Sequence, residues 1–500
     1  MFLSSIQFRR SLLVSLLAVC CGVTPFSSAQ QNLPILGDAD RGSLSPLMER
    51  KLGEEVMRDI RRDPDYLDDA PLLEYLNNFG GILVAARPDV RGEANFDFFF
   101  FAVRDPVLNA FALPGGFIGV HSGLILATQS ESELASVLAH EIGHVTQRHI
   151  ARMLGKQKND SLVALAAMLV GALAMRSSGD AGAAIMMGGS SYAMQKQLNF
   201  SRDAEREADR IGLSILSDGG FDTSDMVVFF NRLQTATRNY SDVLPPYLLT
   251  HPLTSERIAD IEARIRDQRY KQHADSLDFQ LIRARVRVLQ DSSEKAMNEA
   301  QQIFDNQLAQ GMKQQTVAAK YGMAFIAFKR NDFDKAEKLL HEAQAAAAPL
   351  KPSFILTDLG IEIKLGANQF AAALKLIQAA QHQFPLSRTL AHQYASALIE
   401  NKQAEQAIVF LREQAILYRQ DPDVQTLLAK AYAAQGKIAL QSMALAEALV
   451  INGSLQEAII QLGIARKAPD ARFYELSVID ARESELKEKW KDEQQAMKDR

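Results

Sequence analysis

The stretch ELASVLAHEIGHVTQRH, residues 133–149, constrains this chain more than any other, because its two histidines and glutamate do chemistry together only on a helix. A helix advances about 100° per residue, so His140 and His144 fall within roughly 40° of each other, one turn apart, where both rings reach one metal ion. Glu141 then lies on the neighbouring strip. A carboxylate there can take a proton from a metal-activated water without filling a coordination position. Ser130 followed by Glu133 reads as a capping box, and Leu134, Val137, Leu138 and Ile142 recur at helical steps, so the helix has a side to bury.

A catalytic zinc takes three protein ligands and keeps one position open, so a further His, Glu or Asp is required. His149 is near in sequence, but nine residues of continuous helix from His140 is about 900° of rotation and puts it on the opposite side. It reads as a surface or packing histidine. The better source is NFSRDAEREADRIGLSIL, residues 199–216, where Glu205 and Asp209 share one face of a second helix. Glu205 is the candidate third ligand, and Asp209 can accept the second ring N–H of a metal histidine. Glu207, about 200° from Glu205, reads as a solvated charge near Arg206 and Arg210.

HEIGH, the E-x-x-x-D helix and the preceding NAFALPGGFIGVHSGLI together resemble peptidase family forty-eight, the HtpX-type and CAAX-processing membrane proteases, over about residues 45–265. The resemblance implies an α+β gluzincin-type domain. In it His140, His144 and Glu205 hold one zinc ion per chain and Glu141 is the catalytic carboxylate. With a signal sequence and helical repeats added, the likeness is to exported members of the group. Their expected clients are unfolded or misassembled outer-membrane β-barrel proteins, and their repeats are expected to engage the β-barrel assembly machinery.

Two further segments carry site candidates. Pro114-Gly115-Gly116 is a turn signal, and Phe117–Val120 is a short strand candidate ahead of the zinc helix. An edge strand there holds an extended substrate through backbone hydrogen bonds, which makes Asn109, Ala110, Phe111, Gly115 and Gly116 candidate substrate-binding residues. The alternative is a buried structural hairpin. His251 precedes Pro252, which biases it toward an extended loop conformation. It is a candidate fourth ligand that closes a resting site, or a donor to the oxyanion formed during attack, against a purely structural loop histidine.

The N-terminus sets the compartment. Two arginines precede the apolar run SLLVSLLAVCCGV, and Ser27-Ser28-Ala29 supplies small residues for cleavage, so residues 1–29 read as a signal peptide for export to the periplasm. Both cysteines, Cys20 and Cys21, fall inside it, so the mature chain has neither disulfide nor thiol chemistry. Losing Arg9 and Arg10 takes the formal charge from −5 to −7, a balance with no global attraction to nucleic acid. Leu162–Met175 is apolar, but its 14 residues fall short of the roughly 20 that span a bilayer. It is expected to be a buried or interfacial helix, with peripheral membrane association open and no transmembrane span. The glycine-rich residues 180–197 are expected to form a lid.

From about residue 280 the chain turns alanine-rich. Small-residue anchors Ala336, Ala373, Ala407 and Ala458 are separated by 37, 34 and 51 residues, and Pro385 and Pro422 mark junctions. The first two gaps fit the tetratricopeptide period, and the third suggests an extra helix or a degenerate unit. A mainly α architecture follows: an α+β metallopeptidase domain over 30–275, a helical linker over 276–308, an α-solenoid of tetratricopeptide-like repeats over 309–485, and a charged helix end over 486–500. Glu483 with Lys487 and Glu485 with Lys489 pair at i, i+4 on that last helix, where Trp490 is the only tryptophan. Two functions follow from this layout: a periplasmic zinc endopeptidase with partner-binding repeats, or a scaffold whose zinc is structural. Glu141 favours the enzyme, because a structural site has no use for it.

Overall fold

The strand sequence FFFAV is apolar on both faces, which makes the sheet it joins a partition between two packed layers. The computed structural model describes residues 44–92, 94–155, 202–239, 247–248, 251–266, 271–348 and 350–498. The expected signal peptide, the apolar run 162–175 and the lid over 180–197 lie outside them. The catalytic half runs α1 (Pro46–Ile60), α2 (Ala70–Ala86), β1 (Phe99–Val103), β2 (Ala110–Leu113), β3 (Phe117–His121), α3 (Ser122–Ala127), α4 (Glu131–Thr146), α5 (His149–Gly155), α6 (Arg202–Asp218), α7 (Ser224–Asn239) and α8 (Ser255–Arg266). β3 is central, parallel to β1 and antiparallel to β2.

Side chains alternate across this sheet. Phe101, Val103, Leu113 and Phe117 pack on Val56, Met57 and Ile60 of α1. Phe100, Ala102, Ala110, Ala112, Ile118 and Val120 face the main core with α2 and α4. The two sheet edges differ. Asn77 covers β1 through its amide, giving to Phe100 O at 2.8 Å and accepting from Phe100 N at 3.0 Å, and the Leu67 N–H reaches Ala102 O. β2 has no strand beyond it among the described residues. At the turn after β2, Gly115 (φ 76°) sits so close to α1 that a Cβ would lie 2.6 Å from the Arg50 Cα.

The helical half continues through α9 (Leu277–Leu289), α10 (Glu294–Gln310), α11 (Lys313–Lys329), α12 (Phe333–Ala347), α13 (Phe354–Gly366), α14 (Phe370–Gln383), α15 (Arg388–Glu400), α16 (Ala404–Leu417), α17 (Pro422–Ala434), α18 (Ile438–Ile451), α19 (Leu455–Lys467) and α20 (Phe473–Lys498). One turn recurs five times, with a left-handed residue at Asn331, Asn368, Lys402, Gly436 and Gly453. Each time the next amide bonds back to a carbonyl five residues earlier, as Asp332 N does to Ala327 O and Ser454 N to Leu449 O. The spacings are 37, 34, 34 and 17. The long gap between the Ala407 and Ala458 anchors is therefore one full period, which reaches α18, plus a further 17-residue step of one helix to α19.

The two halves share one core. A continuous apolar cluster runs from Leu67 to Ile363 and takes in Phe279, Ile282 and Val286 of α9. Glu74 on α2 accepts from Ser387 Oγ (2.8 Å) and Thr389 Oγ1 (2.7 Å), while Arg58 on α1 and Arg62 in the turn after it reach Gly453 O and Ser454 Oγ in the repeats. On α20, Lys487 pairs with Glu483 and Lys489 with Glu485, and Trp490 packs beside Ile479 and Leu486.

Candidate metal centre

The site is built on α4. Ser130 caps its start by accepting from Glu133 N at 3.1 Å, and the Glu133 carboxylate returns to Gln129 N and is clamped by Arg232. α6 crosses α4 most closely at small residues. A Cβ on Gly143 would lie 2.9 Å from Ala208 O, and one on Gly212 would lie 3.0 Å from His140 N. This backbone-to-backbone approach is what carries Glu205 to the histidines.

His140, His144, Glu205 and His251 meet there, each fully buried, as the group of described residues able to hold a metal ion. His140 Nε2 is 3.0 Å from His144 Nε2 and 3.5 Å from both Glu205 Oε2 and His251 Nδ1. Glu205 Oε1 is 3.4 Å from His144 Nε2 and 3.0 Å from His251 Nδ1. Ligands at about 2.0–2.1 Å around a tetrahedral ion stand about 3.3 Å apart, so these donors are spaced as a first-row cation needs them. Glu141 adds a second indication. Both its carboxylate oxygens are buried without a hydrogen-bond partner, with His251 Nε2 3.5 Å from Oε1. A carboxylate stripped of water is costly unless a cation or a reacting water is meant to face it.

A buried outer ring orients the donors. Asp209 Oδ1 is 3.0 Å from His140 Nδ1, and Arg257 grips both Asp209 oxygens at 2.7 Å while its Nη1 lies 2.8 Å from Glu205 Oε2. Burial opposes charge on His140, but Asp209 and Glu205 outweigh it and hold its pKa up at about 9. Burial drives His144 well below its ordinary value, against the pull of Glu205. Glu205 itself is held well below the usual carboxylate range, because the surrounding histidines override the burial that would raise it. The centre gathers imidazole nitrogens and a buried carboxylate, a donor set able to hold a metal ion. His251 is fixed by its N–H to Tyr247 O at 2.8 Å and by the Tyr247 ring 4.8 Å away.

The remaining candidates lie on the sheet. Asn109 O accepts from His121 N at 3.0 Å. With the register of β2 on β3, residues 109, 111 and 113 face β3, and the backbone groups of Ala110 and Ala112 point off the open edge. Phe111 lies across Gly119 and stacks edge-on with His121. Gly115 and Gly116 form the turn against Arg50 and Phe96–Asp97, not the edge itself.

His149 and Glu207 depart from their sequence reading. The rotation argument required one unbroken helix, but α4 ends at Thr146, the chain turns through Arg148 at φ 51°, and α5 restarts at His149. That break returns His149 to His144, with Nδ1 2.8 Å from Nδ1. Glu207 is not a free surface charge. It lies 3.0 Å from His149 Nε2 and 2.6 Å from Arg152 Nη2, and those contacts hold its pKa down at about 2. Arg257 and Tyr247 were likewise not singled out by sequence, which gives no sign of a helix or loop folding back over the site.

Comparison with known proteins places this geometry. Residues 84–265 match the model of Peptidase family M48, and residues 364–431 match that of the tetratricopeptide repeat. The chain is 34 % identical over 459 residues to the beta-barrel assembly-enhancing protease of Yersinia pestis, covering 92 % of each. It is 31 % identical over 485 residues to the protein of that name from Escherichia coli (strain K12), covering 96 % of this chain and 97 % of the relative. The mitochondrial metalloendopeptidase OMA1 of Schizosaccharomyces pombe is 32 % identical over 173 residues, 35 % of this chain and 48 % of that one. A buried His/Glu cluster on crossed helices, followed by helical repeats and matched along nearly the whole chain, means that this protein belongs to peptidase family M48, as a metallopeptidase carrying tetratricopeptide repeats.

Proposed function

We propose that this chain is a zinc-dependent endopeptidase of the periplasm that promotes assembly of outer-membrane β-barrel proteins and degrades misassembled ones. The observation that carries the reading is the convergence of His140, His144, Glu205 and His251 beside a Glu141 with no hydrogen-bond partner. The names of the two long relatives support the client class, and the signal-like residues 1–29 support the compartment. The repeats are the surface for the barrel-assembly machinery.

Zinc held by His140, His144 and Glu205 would polarise a peptide carbonyl and acidify a water. Glu141, with no hydrogen-bond partner, accepts the proton of the attacking water and passes it to the leaving amine. Asp209, anchored by Arg257, keeps the proton of His140 on Nδ1 so that Nε2 faces the centre. His251 would add a fourth donor to that set, its Nδ1 lying 3.0 Å from Glu205 Oε1. The client lies extended along β2, bonded to the outward groups of Ala110 and Ala112, a mode open to unfolded segments and closed to finished barrels.

The test uses Glu141→Gln. Both proteins should bind one zinc per chain, with cleavage of an unfolded barrel protein reduced at least ~100-fold in the variant. Equal cleavage by the two proteins would refute the assignment. For His251→Ala, zinc-coordination spectroscopy should lose one nitrogen from the resting site. An unchanged count would remove His251 from the ligand set.

A further inference from the structure

We infer that His149 and Glu207 form a second orienting arm of the metal centre, acting on His144 as Asp209 acts on His140. The inference rests on the reading of His144 as a metal ligand. At His140 the arm is direct, from Nδ1 to Asp209 to Arg257. At His144 it has one more member, from Nδ1 to His149 Nδ1 at 2.8 Å, from His149 Nε2 to Glu207 Oε2 at 3.0 Å, and from Glu207 to Arg152 at 2.6 Å. Each metal histidine thus ends on a carboxylate held by an arginine, and both carboxylates stand on α6 with Glu205.

The proton positions follow from the chemistry of the partners. Glu207, paired with Arg152, is ionised and only accepts, so His149 must carry its proton on Nε2. His149 Nδ1 is then a bare acceptor. Pairing it with His144 at 2.8 Å then places a proton on His144 Nδ1 and leaves the His144 Nε2 lone pair facing Glu205 and His140. The reverse direction would set a bare His149 nitrogen against a carboxylate oxygen and turn an N–H of His144 into the centre. Glu207 therefore selects the tautomer that can bind metal, across two imidazole rings. His149 and Glu207 are positioning residues and touch neither substrate nor ion.

The experiment measures zinc affinity of the full-length mature chain by competition with a chromophoric chelator, beside urea unfolding of the metal-free protein. Loss of an outer-ring partner weakens metal binding about 10- to 100-fold, and that is the result expected for His149→Ala. His149→Gln should recover most of the affinity, because a carboxamide accepts from His144 and donates to Glu207 as the ring does. Glu207→Gln should also weaken binding, and combining it with His149→Ala should add little, since the two act in series. Wild-type affinity in His149→Ala, or equal loss in His149→Ala and His149→Gln, would overturn the inference. His144→Ala separates this from the broader reading. If it leaves zinc binding intact, the metal centre itself is misassigned; if it abolishes binding while His149→Ala does not, only the arm fails.

Discussion

Arg285→Met is the perturbation whose cost can be worked most directly from the structure. Arg285 is 1 % exposed on α9, where its Nε meets both Asp69 oxygens at 2.8 and 3.0 Å and its two terminal nitrogens meet Glu362 at 2.9 and 3.0 Å. It also donates to Tyr321 and lies 4.2 Å over the Phe325 ring. Methionine keeps the stem and removes the charge, stranding two carboxylates whose side chains are 10 % and 23 % exposed. Removing one partner of a buried pair costs about 3–5 kcal/mol, far more than the pair is worth against an apolar replacement. With a urea m-value of about 3 kcal/mol/M, the midpoint should fall by about 1–1.7 M. The apolar cluster from Leu67 to Ile363 is continuous, so circular dichroism should report this as one transition. Adding Asp69→Asn and Glu362→Gln to Arg285→Met should restore most of the loss, because neither of the two carboxylates that Arg285 hydrogen-bonds then carries an unpaired charge. A shift below ~0.3 M, or a triple variant no better than the single one, would refute the reasoning.

Asp358 sits behind that arginine at 0 % exposure, and burial followed by the Glu362 charge holds its pKa well above the ordinary aspartate value. A raised folded-state pKa favours the fold below the unfolded value and loses that benefit as pH climbs toward the folded one, so Asp358→Asn should gain stability over wild type increasingly as pH rises above the ordinary aspartate value, read as urea midpoints. Gly212→Val would drive a side chain into Ala139 and His140 N; the overpacking, about 1–3 kcal/mol, should part α6 from α4 and appear as weakened zinc affinity in a chelator competition. Ala112→Pro removes one outward donor from β2 and no bond to β3, so KM for an extended fluorogenic peptide should rise about 2- to 10-fold with zinc content unchanged.

What could be read from the sequence was whatever depends on local periodicity. Four residues between His140 and His144, and four between Glu205 and Asp209, fix a shared face before any tertiary structure exists, and the four donors set apart on that basis or by the family resemblance do lie together. The i, i+4 pairs on α20 were legible for the same reason. What escaped was non-local. His149 was sent away by counting turns through a helix that breaks at Arg148, and no propensity marks an arginine for a left-handed conformation. Glu207 was given to solvent because its neighbours in sequence are arginines, while its partner, His149, is 58 residues away. The repeat count stalled at the 51-residue gap because α18 carries no small-residue anchor at the matching position, which Gln441 occupies; only the backbone of the turn at Gly436 reveals the period.

The same non-local bonds explain why the catalytic and repeat halves share a core instead of meeting at a flexible joint. The first residue of α4, Glu131, takes its backbone partner from Asp275 Oδ1 at 2.8 Å, and its carboxylate accepts from Ser276 N, Ser276 Oγ and Tyr75. Ser276 is itself the N-cap of α9, the helix that carries Arg285. The start of the helix bearing His140 and the start of the helix that leads into the solenoid are thus tied by the same few side chains. Asp69, at the other end of the Arg285 network, caps α2, which lines the opposite side of the core. Among the described residues, the solenoid and the metal histidines are therefore joined through short polar contacts and one packed core.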